Sequence, residues 1–404
     1  MRISVIGQGY VGLTIAASAA KSGHEVVGFD NNAALATRLN SGDSHIEGVA
    51  SSDLQGAIKA GKYRATSNAS DIAGSEIVVI AVPTPLNTDR APDTAFLESA
   101  CKSIATHLDA PALIINESTS FPGTVRDLIA PMIEKSSAKK LDHLYAVSPE
   151  RVDPGNEKWG QKNTPRLYAG LTPEASEKTR AFYSSFCDNL VEVSSPEVAE
   201  AAKLFENTFR QVNIALVNEF AQISDALGIS VHETLDAANT KPYGFMRFNP
   251  SAGVGGHCIP IDPTYLAAVS ERLGVPATFI RRANEVNLAM PRYIVERVAR
   301  DNGASLKGKR VLVVGVAYKP NVADTRETPA EIVLEALKEQ GAVVSWHDPV
   351  VKSWKGESSQ PLAAKGADIT IVVTMHDAVK VADVLASAPY VFDATGKVPR
   401  AHGL

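Results

Sequence analysis

The sequence is poor in cysteine, contains no long apolar run, and has no strong excess of either charge. Its three cysteines lie far apart among 404 residues, which argues against a disulfide framework and for a reducing, cytoplasmic setting. No apolar stretch reaches the roughly 18 residues that a membrane-spanning helix needs. The apolar N-terminus is interrupted by glycines at positions 7, 9 and 12 and lacks a signal-peptide cleavage site. The net charge of −5 argues against nucleic acid and against an anionic membrane surface as partners.

The composition is that of an ordinary globular protein, with 45% apolar and 21% charged residues. The length exceeds what one hydrophobic core supports, so at least two globular units are expected. In the first third, continuous apolar runs alternate with helical patterns, as in the βαβ units of a buried parallel sheet. Strands are predicted at 3–6, 25–29, 76–82, 112–116 and 144–147. Two further strands, at 167–170 and 190–193, flank a helical pattern at 174–186 and end the first domain near residue 194.

A long amphipathic helix is predicted from Pro196 to about Leu227. Proline is well tolerated in a first helical turn, and apolar residues then recur at steps of three and four. The stripe consists of Phe205, Phe209, Val212, Leu216, Phe220, Ile223 and Leu227. Because such a helix is usually covered by a domain or a subunit, we expect a homodimer through this element. Shorter helices are predicted at 231–238, 264–273 and 278–300.

The last hundred residues partly repeat the first thirty. Residues 310–315 (RVLVVG) echo 2–7 (RISVIG), and 341–348 (GAVVSWHD) echo 23–30 (GHEVVGFD). Two nucleotide-binding-type folds therefore flank a helical connector, which suggests two different nucleotide-containing ligands. We divide the chain into domains at 1–194, 195–303 and 304–404.

A glycine motif follows the first predicted strand and opens the first helix. Its residues are Gly7, Gly9, Tyr10, Val11 and Gly12. In this position, the glycines let backbone N–H groups approach a pyrophosphate at a helix N-terminus. Asp30 ends the second strand 18 residues after Gly12, where it can bind a ribose diol; asparagines and no arginine follow it, which favours NAD over NADP. The alternative is a plain strand–helix turn with a surface aspartate.

Three loops at the ends of predicted strands carry further polar residues. They contain Pro83 and Thr84, then Thr119, then Glu150 and Arg151. The carboxyl ends of parallel strands border the ligand crevice of such sheets. For each residue, a role in a turn or helix cap is an equally good interpretation.

The segment around Cys258 is unusual in its density of glycine. Gly253, Gly255 and Gly256 permit close backbone approach to a ligand and leave the thiol on a loop. Loop cysteines near cations are nucleophiles, whereas Cys101 and Cys187 fit buried positions.

Two polar residues lie close to that thiol in the sequence. His257 is a poor candidate base, because adjacent side chains diverge. Asp262, which precedes Pro263, is equally well interpreted as a helix N-cap or as a catalytic residue.

Lys203, Asn207 and Arg210 share one face of the long helix. A solvated polar stripe is the commoner explanation for such residues. The apolar content of the other faces implies that the helix is covered, and a covered lysine needs a partner or a function.

Together these residues resemble the UDP-glucose/GDP-mannose dehydrogenase family, nearly end to end. The resemblance implies an α/β fold with two Rossmann-like parallel-sheet domains joined by a long central helix and a helical domain. Its marks are the glycine motif with Asp30 and the segments 82–85, 117–119, 148–151, 203–207, 255–258 with Asp262, 317–319 and 324–327.

The resemblance implies an enzyme that oxidises the C6 alcohol of a nucleotide sugar to a carboxylate with two NAD⁺, without a metal. Cys258 would add to the intermediate aldehyde as thiolate, giving a thiohemiacetal and then a thioester. Lys203 and Asn207 would stabilise the oxyanion, Asp262 and Thr119 would hold the reacting water, and Glu150 would assist hydrolysis. The other implied contacts are those of Arg326, Pro83 and Thr84 with NAD, and those of Arg151, Arg210, Gly253, Gly255, Gly256, Tyr318 and Lys319 with the UDP-sugar.

Substrate choice depends on weaker features. Residues 239–245 leading into 255–263 resemble the subgroup that acts on UDP-N-acetylhexosamines, and 44–47 with 59–66 favour UDP-N-acetylglucosamine. UDP-N-acetylmannosamine, UDP-N-acetylgalactosamine and UDP-glucose remain alternatives. Ser251 and Ala252 depart from the Pro-Gly of many relatives. A two-electron hydroxyacid dehydrogenase and a non-catalytic nucleotide-sugar-binding protein are the alternatives from other classes.

Overall fold

The chain forms two compact units, Met1–Glu206 and Asn207–Leu404. A computed structural model describes residues 1–46, 48–152, 156, 158–256, 258–362 and 366–404. Among these residues, no helix combines the length and apolarity that crossing a bilayer requires.

The first unit is built on an eight-stranded sheet, counted over the described residues, in the order β3-β2-β1-β4-β5-β6-β7-β8. All neighbouring strands are parallel except β6 and β7, which are antiparallel. The strands are β1 (Arg2–Ile6), β2 (Glu25–Phe29), β3 (Tyr63–Thr66), β4 (Ile77–Ile80), β5 (Leu113–Asn116), β6 (Leu144–Val147), β7 (Arg166–Gly170) and β8 (Leu190–Glu192).

Helices cover both faces of this sheet, so side chains from alternate strand positions enter two separate apolar clusters. Short 3-10 and π-type turns lie at Ala69–Ile72 and Thr124–Ile129. The helices are α1 (Tyr10–Lys21), α2 (Ala33–Asn40), α3 (Ser51–Lys59), α4 (Ala95–His107), α5 (Ala130–Ser136) and α6 (Pro173–Tyr183).

The helix α7 (Pro196–Leu227) begins in the first unit and ends in the second. Three helices follow it, and the third of them packs on the second sheet through one shared core cluster. They are α8 (Val231–Ala238), α9 (Asp262–Arg272) and α10 (Thr278–Asp301).

The second sheet is parallel throughout, in the order β10-β9-β13-β14-β15, and a separate two-stranded hairpin joins β11 to β12. The strands of the sheet are β9 (Arg310–Val314), β10 (Val343–His347), β13 (Ile369–Val372), β14 (Tyr390–Asp393) and β15 (His402–Gly403). The hairpin consists of β11 (Ser353–Trp354) and β12 (Glu357–Ser358). Two helices belong to this part of the chain, α11 (Pro329–Glu339) and α12 (Val381–Ala386).

The predicted fold class is confirmed, and α7 and α8 have the predicted bounds. Two details were wrong. The edge strand β3 was not predicted, because it is short and carries the exposed Arg64. Asp262 is not an N-cap: Ile261 holds that position, so Asp262 is the first helical residue and Pro263 the second.

Candidate functional site

The turn between β1 and α1 has the geometry of a phosphate cradle. Gly7 has a φ of 88°, and a Cβ there would lie 2.5 Å from the Ala81 carbonyl oxygen. A Cβ on Gly12 would lie 1.8 Å from the Gly7 carbonyl oxygen, so the strand and the helix touch through these two residues. A Cβ on Gly9 meets nothing within 4 Å, and no side chain among the described residues caps α1. The open helix terminus fits a dinucleotide pyrophosphate.

Asp30 lies directly after β2 beside this turn. Its Oδ2 accepts from the N–H of Gln8 at 2.8 Å, and its Oδ1 accepts from the N–H of Asn32 at 2.9 Å. Each oxygen keeps a further lone pair that can accept from a ribose hydroxyl. Tyr10 and Val11, in the first turn of α1, are both half-buried.

The loops after β4 and β5 are tied together by Ser118. Its Oγ accepts from the N–H of Val82 and donates to the Val82 carbonyl oxygen, both at 2.9 Å. Pro83 is exposed in the first of these loops and Thr84 is buried, whereas Thr119 is half-buried in the second. The predicted convergence of these two strand ends is therefore present.

The loop after β6 is joined to them by a buried charge cluster. Arg166, at the start of β7, donates to Glu150 Oε2 at 2.8 Å and lies 3.1 Å from Glu117 Oε2. The Tyr183 hydroxyl donates to Glu117 Oε1, and the Arg166 guanidinium lies 4.6 Å from the centre of the Tyr183 ring. Glu117 and Arg166 are buried, with 2% and 4% of their surface exposed.

The two carboxyl groups of this cluster differ in their ionisation. Burial opposes ionisation of Glu150, but Arg166, the N–H of Val152 and Lys203 outweigh it and lower the pKa of Glu150. Burial raises the pKa of Glu117 to about 7, although the charge of Arg166 acts in the opposite direction. Glu150 therefore remains a carboxylate over the neutral range, while Glu117 exchanges a proton within it.

Arg166, Tyr183 and Glu117 are residues that the sequence does not mark individually. Glu117 belongs to the motif at 117–119, and Arg166 lies just outside the predicted strand at 167–170. A charged residue at the border of an apolar strand was the available signal.

The first turns of α7 hold a further buried carboxyl group. Glu200 accepts from the N–H groups of Gly123 at 2.7 Å and Val125 at 3.1 Å, at the start of the π-type turn that follows Thr119. Burial raises the pKa of Glu200 to about 8. Lys203, one turn further along α7, is half-buried and its charge acts on Glu150. In the first unit, the predicted residues Thr119, Glu150 and Lys203 thus lie on loops and a helix that directly contact one another.

Arg151 has partners within the first unit. It forms an ion pair with Glu206 at 2.6 Å and donates to the Pro165 carbonyl oxygen at 2.7 Å. Its side chain is half-buried.

In the second unit, Asn207 and Asp262 form a buried pair. Asn207 Nδ2 donates to Asp262 Oδ2 at 2.6 Å, and 7% and 0% of the two residues are exposed. The N–H of Asp262 in turn donates to the Cys258 carbonyl oxygen at 2.8 Å. This contact connects the buried pair to the loop that carries the thiol. Arg210, on the same helix as Asn207, is exposed.

The three cysteines occupy different environments. Cys101 and Cys187 are buried, as predicted, whereas Cys258 is half-exposed. Burial raises the pKa of Cys101 to about 12, so that thiol stays protonated. The guanidinium of Arg326, whose pKa is raised mainly by its hydrogen bond to Asp324, is also close enough to Cys258 to interact with its charge. A cation beside a half-exposed thiol favours the thiolate.

The glycine loop before Cys258 packs on the segment between β9 and α11. The N–H of Gly256 donates to the Arg326 carbonyl oxygen at 2.9 Å. A Cβ on Gly255 would lie 2.7 Å from the Cβ of Tyr318, and one on Gly253 would lie 2.8 Å from a backbone oxygen of α10. Only glycine allows this close approach, so the loop is fixed next to the segment that carries Tyr318 and Lys319.

The repeat of the first thirty residues is real, but the two copies differ at the acidic position. Asp348, at the end of β10, corresponds to Asp30 and likewise accepts from the turn after the first strand, at Val316. Unlike Asp30, it is fully enclosed and pairs with His376 Nε2 at 3.1 Å. His376 Nδ1 accepts from the N–H of Asn321, so Nε2 carries the proton and donates to Asp348. Asp348 Oδ1 accepts from the N–H groups of Val350 and Val351, both at 2.9 Å, so each Asp348 oxygen accepts at least two hydrogen bonds from the chain.

His257, and Glu47 of the segment 44–47, lie outside the described residues.

A glycine turn suited to a dinucleotide on one mostly parallel sheet, together with a second, parallel sheet that repeats the pattern, is the arrangement of a nucleotide-binding dehydrogenase. Models of the UDP-glucose/GDP-mannose dehydrogenase family match residues 1–187 (NAD binding domain), 197–289 (central domain) and 312–399 (UDP binding domain). The chain belongs to this family and is an NAD-dependent nucleotide-sugar dehydrogenase.

Curated relatives match over most of the chain. A UDP-N-acetyl-D-mannosamine dehydrogenase of Pyrococcus horikoshii is 35% identical over 386 residues, which cover 93% of this chain and 90% of the relative. A UDP-N-acetyl-D-glucosamine 6-dehydrogenase of Pseudomonas aeruginosa is 35% identical over 363 residues, covering 87% and 84%. A solved structure of a UDP-D-ManNAc dehydrogenase from P. horikoshii superposes with a TM-score of 0.89 at 32% identity and covers 98% of this chain and 96% of that chain.

Proposed function

We propose that the enzyme oxidises the C6 alcohol of a UDP-N-acetylhexosamine to the carboxylate in two successive steps, each of which reduces one NAD⁺. The proposal is supported most directly by Cys258, the half-exposed cysteine, whose loop is hydrogen-bonded to the buried Asn207–Asp262 pair. The bound nicotinamide supplies the hydride acceptor in each step, and the residues of this chain perform the proton transfers and the covalent chemistry.

The first oxidation converts the alcohol to an aldehyde, releasing one hydride and one proton. The Cys258 thiolate then adds to the aldehyde carbon, and the resulting oxyanion takes up a proton to complete the thiohemiacetal. The Lys203 ammonium and the Asn207 amide are suited to stabilise that oxyanion. In the second oxidation, loss of a hydride and a proton from the thiohemiacetal leaves a thioester on Cys258.

Hydrolysis of the thioester requires an oriented water. Asp262 and Thr119 are proposed to hold the water, and Glu150, ionised at neutral pH, accepts its proton as the water adds to the carbonyl carbon. Collapse of the adduct releases the carboxylate and the Cys258 thiolate.

The substrate is proposed at two levels of detail. UDP-N-acetylhexosamines are supported by the family membership and by the printed names of the relatives. Several relatives, at 33–36% identity, act on UDP-N-acetylmannosamine, whereas the sequence motifs favour UDP-N-acetylglucosamine. Both sugars are therefore the first substrates to test, with UDP-N-acetylgalactosamine and UDP-glucose after them.

The remaining assignments are also proposals. Tyr318, Lys319, Arg151, Arg210 and the glycines at 253, 255 and 256 would bind the UDP-sugar, and Arg326 with Pro83 and Thr84 would contact NAD. The division at 1–194, 195–303 and 304–404, a cytoplasmic location, and a homodimer through α7 complete the proposal.

The proposal is tested by counting NADH. Each of the four UDP-sugars is incubated with excess NAD⁺, and NADH is measured per sugar consumed. Two NADH per sugar and a uronic acid product are expected. One NADH would instead indicate a two-electron dehydrogenase, and no NADH with any of the four sugars would contradict the proposed substrate class.

The cysteine is tested separately. Cys258→Ser is expected to lower carboxylate formation by at least about a hundredfold, since a serine hydroxyl is not ionised near neutral pH. Cys101→Ala, which alters a buried thiol of α4, serves as the matched control and should retain activity. Full carboxylate formation by Cys258→Ser would contradict the covalent mechanism.

A further inference from the structure

Two carboxyl groups share one buried guanidinium in the first unit. Arg166 Nη2 donates to Glu150 Oε2 at 2.8 Å, and Arg166 Nη1 lies 3.1 Å from Glu117 Oε2. Arg166 Nη1 also donates to Ser148 Oγ at 3.1 Å, so both ends of the guanidinium are engaged. One positive charge cannot neutralise two buried carboxylates, and a proton on one of them relieves the excess.

We propose that Arg166 is the positioning residue for Glu150 and that the protonation state of Glu117 decides how strongly Arg166 holds it. When Glu117 carries a proton, Arg166 pairs with Glu150 alone, and Glu150 is a weak base. When Glu117 loses its proton, the guanidinium is shared between two carboxylates, and Glu150 accepts a proton from water more readily. This inference rests on the proposed function, in which Glu150 assists thioester hydrolysis.

The surroundings of the two carboxyl groups make Glu117, and not Glu150, the group whose protonation changes near neutral pH. Glu150 Oε1 accepts from the N–H groups of Arg151 and Val152, at 2.7 and 2.6 Å, which keeps Glu150 ionised. The Tyr183 hydroxyl donates to Glu117 Oε1. Burial raises the pKa of Glu117 to about 7, against the charge of Arg166.

Several elements contribute charged or titratable groups that face this cluster. They are Glu117 after β5, Glu150 after β6, Arg166 on β7, Tyr183 at the end of α6, Cys187 between α6 and β8, and Lys203 on α7. Because Cys187 and Tyr183 have raised pKa values, mainly through burial, both stay protonated while Glu117 titrates. The pair therefore titrates as a coupled unit in which Glu117 carries the change near neutral pH.

Glu117→Gln is the decisive variant, because glutamine has nearly the same shape as a permanently protonated Glu117. The ratio of wild-type to variant kcat, the constant that includes thioester hydrolysis, is measured at saturating UDP-sugar and NAD⁺ from pH 5.5 to 8.5. We expect a ratio near one at low pH, rising to about tenfold at high pH with a midpoint near 7. Other titrating groups, including Cys258, cancel in the ratio. Glu177→Gln, an exposed carboxylate on α6, should give a ratio near one throughout.

Tyr183→Phe tests the same cluster from the other side. Loss of the hydroxyl removes a hydrogen-bond donor to the ionised form of Glu117. The pH profile of Tyr183→Phe should therefore have its midpoint at a higher pH than that of the wild type. Tyr168→Phe is the matched control, since that hydroxyl donates to Glu192 at 3.2 Å and not to Glu117.

Arg166→Lys tests the guanidinium itself. Lysine keeps the positive charge but cannot contact Glu117 and Glu150 at the same time through two nitrogens, so the variant should have a lower kcat with little change in the KM for NAD⁺.

The outcomes separate the two levels of the proposal. An active wild type whose ratio to Glu117→Gln is constant over pH overturns this inference and leaves the proposed function standing. A wild type that forms no NADH from any UDP-sugar overturns both.

Discussion

Gly7 and Gly9 lie two residues apart in one turn but meet different surroundings. Gly7 has a φ of 88°, and the Ala81 backbone occupies the space that a side chain would need. A Cβ added to Gly9 would meet no described atom within 4 Å, and the φ of −70° at this position suits any residue. One glycine is required by the fold, and the other leaves room for a ligand.

Alanine at these two positions should therefore give opposite results. Gly7→Ala should destabilise the protein by at least about 2 kcal/mol, because it combines a strained φ with a backbone clash. The Gly9→Ala protein should have the unfolding temperature of the wild type, but its KM for NAD⁺ should be at least about tenfold higher. Calorimetry and NAD⁺ titration measure the two effects. An unchanged KM in Gly9→Ala would show that the pyrophosphate does not approach this turn.

At the scale of residues, the sequence identifies groups that belong to motifs. The glycine turn, Asp30 and the environment of Cys258 could be predicted because each has a local pattern. Arg166 and Glu200 could not, since their roles depend on partners about 15 to 80 positions away in the chain. The N-cap position predicted for Asp262 is one residue too late, because an aspartate before a proline fits both the N-cap and the first helical position.

The helix α7 carries two chemically distinct faces. Lys203 and Asn207 occupy one face, and a stripe of large apolar residues lies on the opposite one at helical spacing. The stripe residues Phe205, Phe209, Leu216, Ile223 and Leu227 are between 41% and 65% exposed in the single chain. A set of exposed apolar residues along this length of helix is typical of a subunit interface, which supports the proposed homodimer.

Charge placed in the middle of the stripe should separate the subunits. Leu216→Glu, which buries an unpaired carboxylate in any interface formed there, should convert the dimer to a monomer in sedimentation velocity. Phe96→Glu, which makes the same kind of change at an exposed residue of α4, should leave the sedimentation coefficient unchanged. A monomeric wild type, or a dimeric Leu216→Glu, would contradict an interface through α7.

Elements with strong periodicity were predicted almost to the residue. The bounds of α7 and α8 follow from their apolar spacing and from Pro196 and Ser230 at their starts. The strand β3 was missed, because four residues with an exposed arginine give no clear alternation. Its place at the sheet edge is set by pairing with β2, which no local pattern reports.

At the scale of the whole molecule, the same strand–helix–strand pattern occurs twice, and its aspartate has a different environment in each copy. In both copies, an aspartate after the second strand accepts a backbone N–H from the turn after the first strand. Asp30 remains half-exposed, whereas Asp348 is enclosed with His376. Hydrogen bonds from His376 and from backbone N–H groups overcome the cost of burial and hold the pKa of Asp348 well below its usual range.

The same substitution in the two copies should separate these roles. Asp348→Asn removes a buried charged acceptor and should lower the unfolding temperature by roughly 6 °C or more. Asp30→Asn should change that temperature much less and should raise the KM for NAD⁺. Because the pKa of Asp348 is lowered in the native state, its stabilisation is present above about pH 4 and is lost only in more acidic solution. Equal unfolding temperatures for the two variants would contradict the assignment.

The enclosure of Asp348 has a consequence for the order of events in a catalytic cycle. Within the described residues, only the first copy of the repeat leaves its aspartate partly exposed, so we expect one dinucleotide to bind per chain. On the proposed chemistry, the spent coenzyme must depart and a fresh one must dock before the second oxidation. A half-oxidised sugar free to diffuse during that exchange would be lost as a reactive aldehyde. Attachment to Cys258 retains it through the interval.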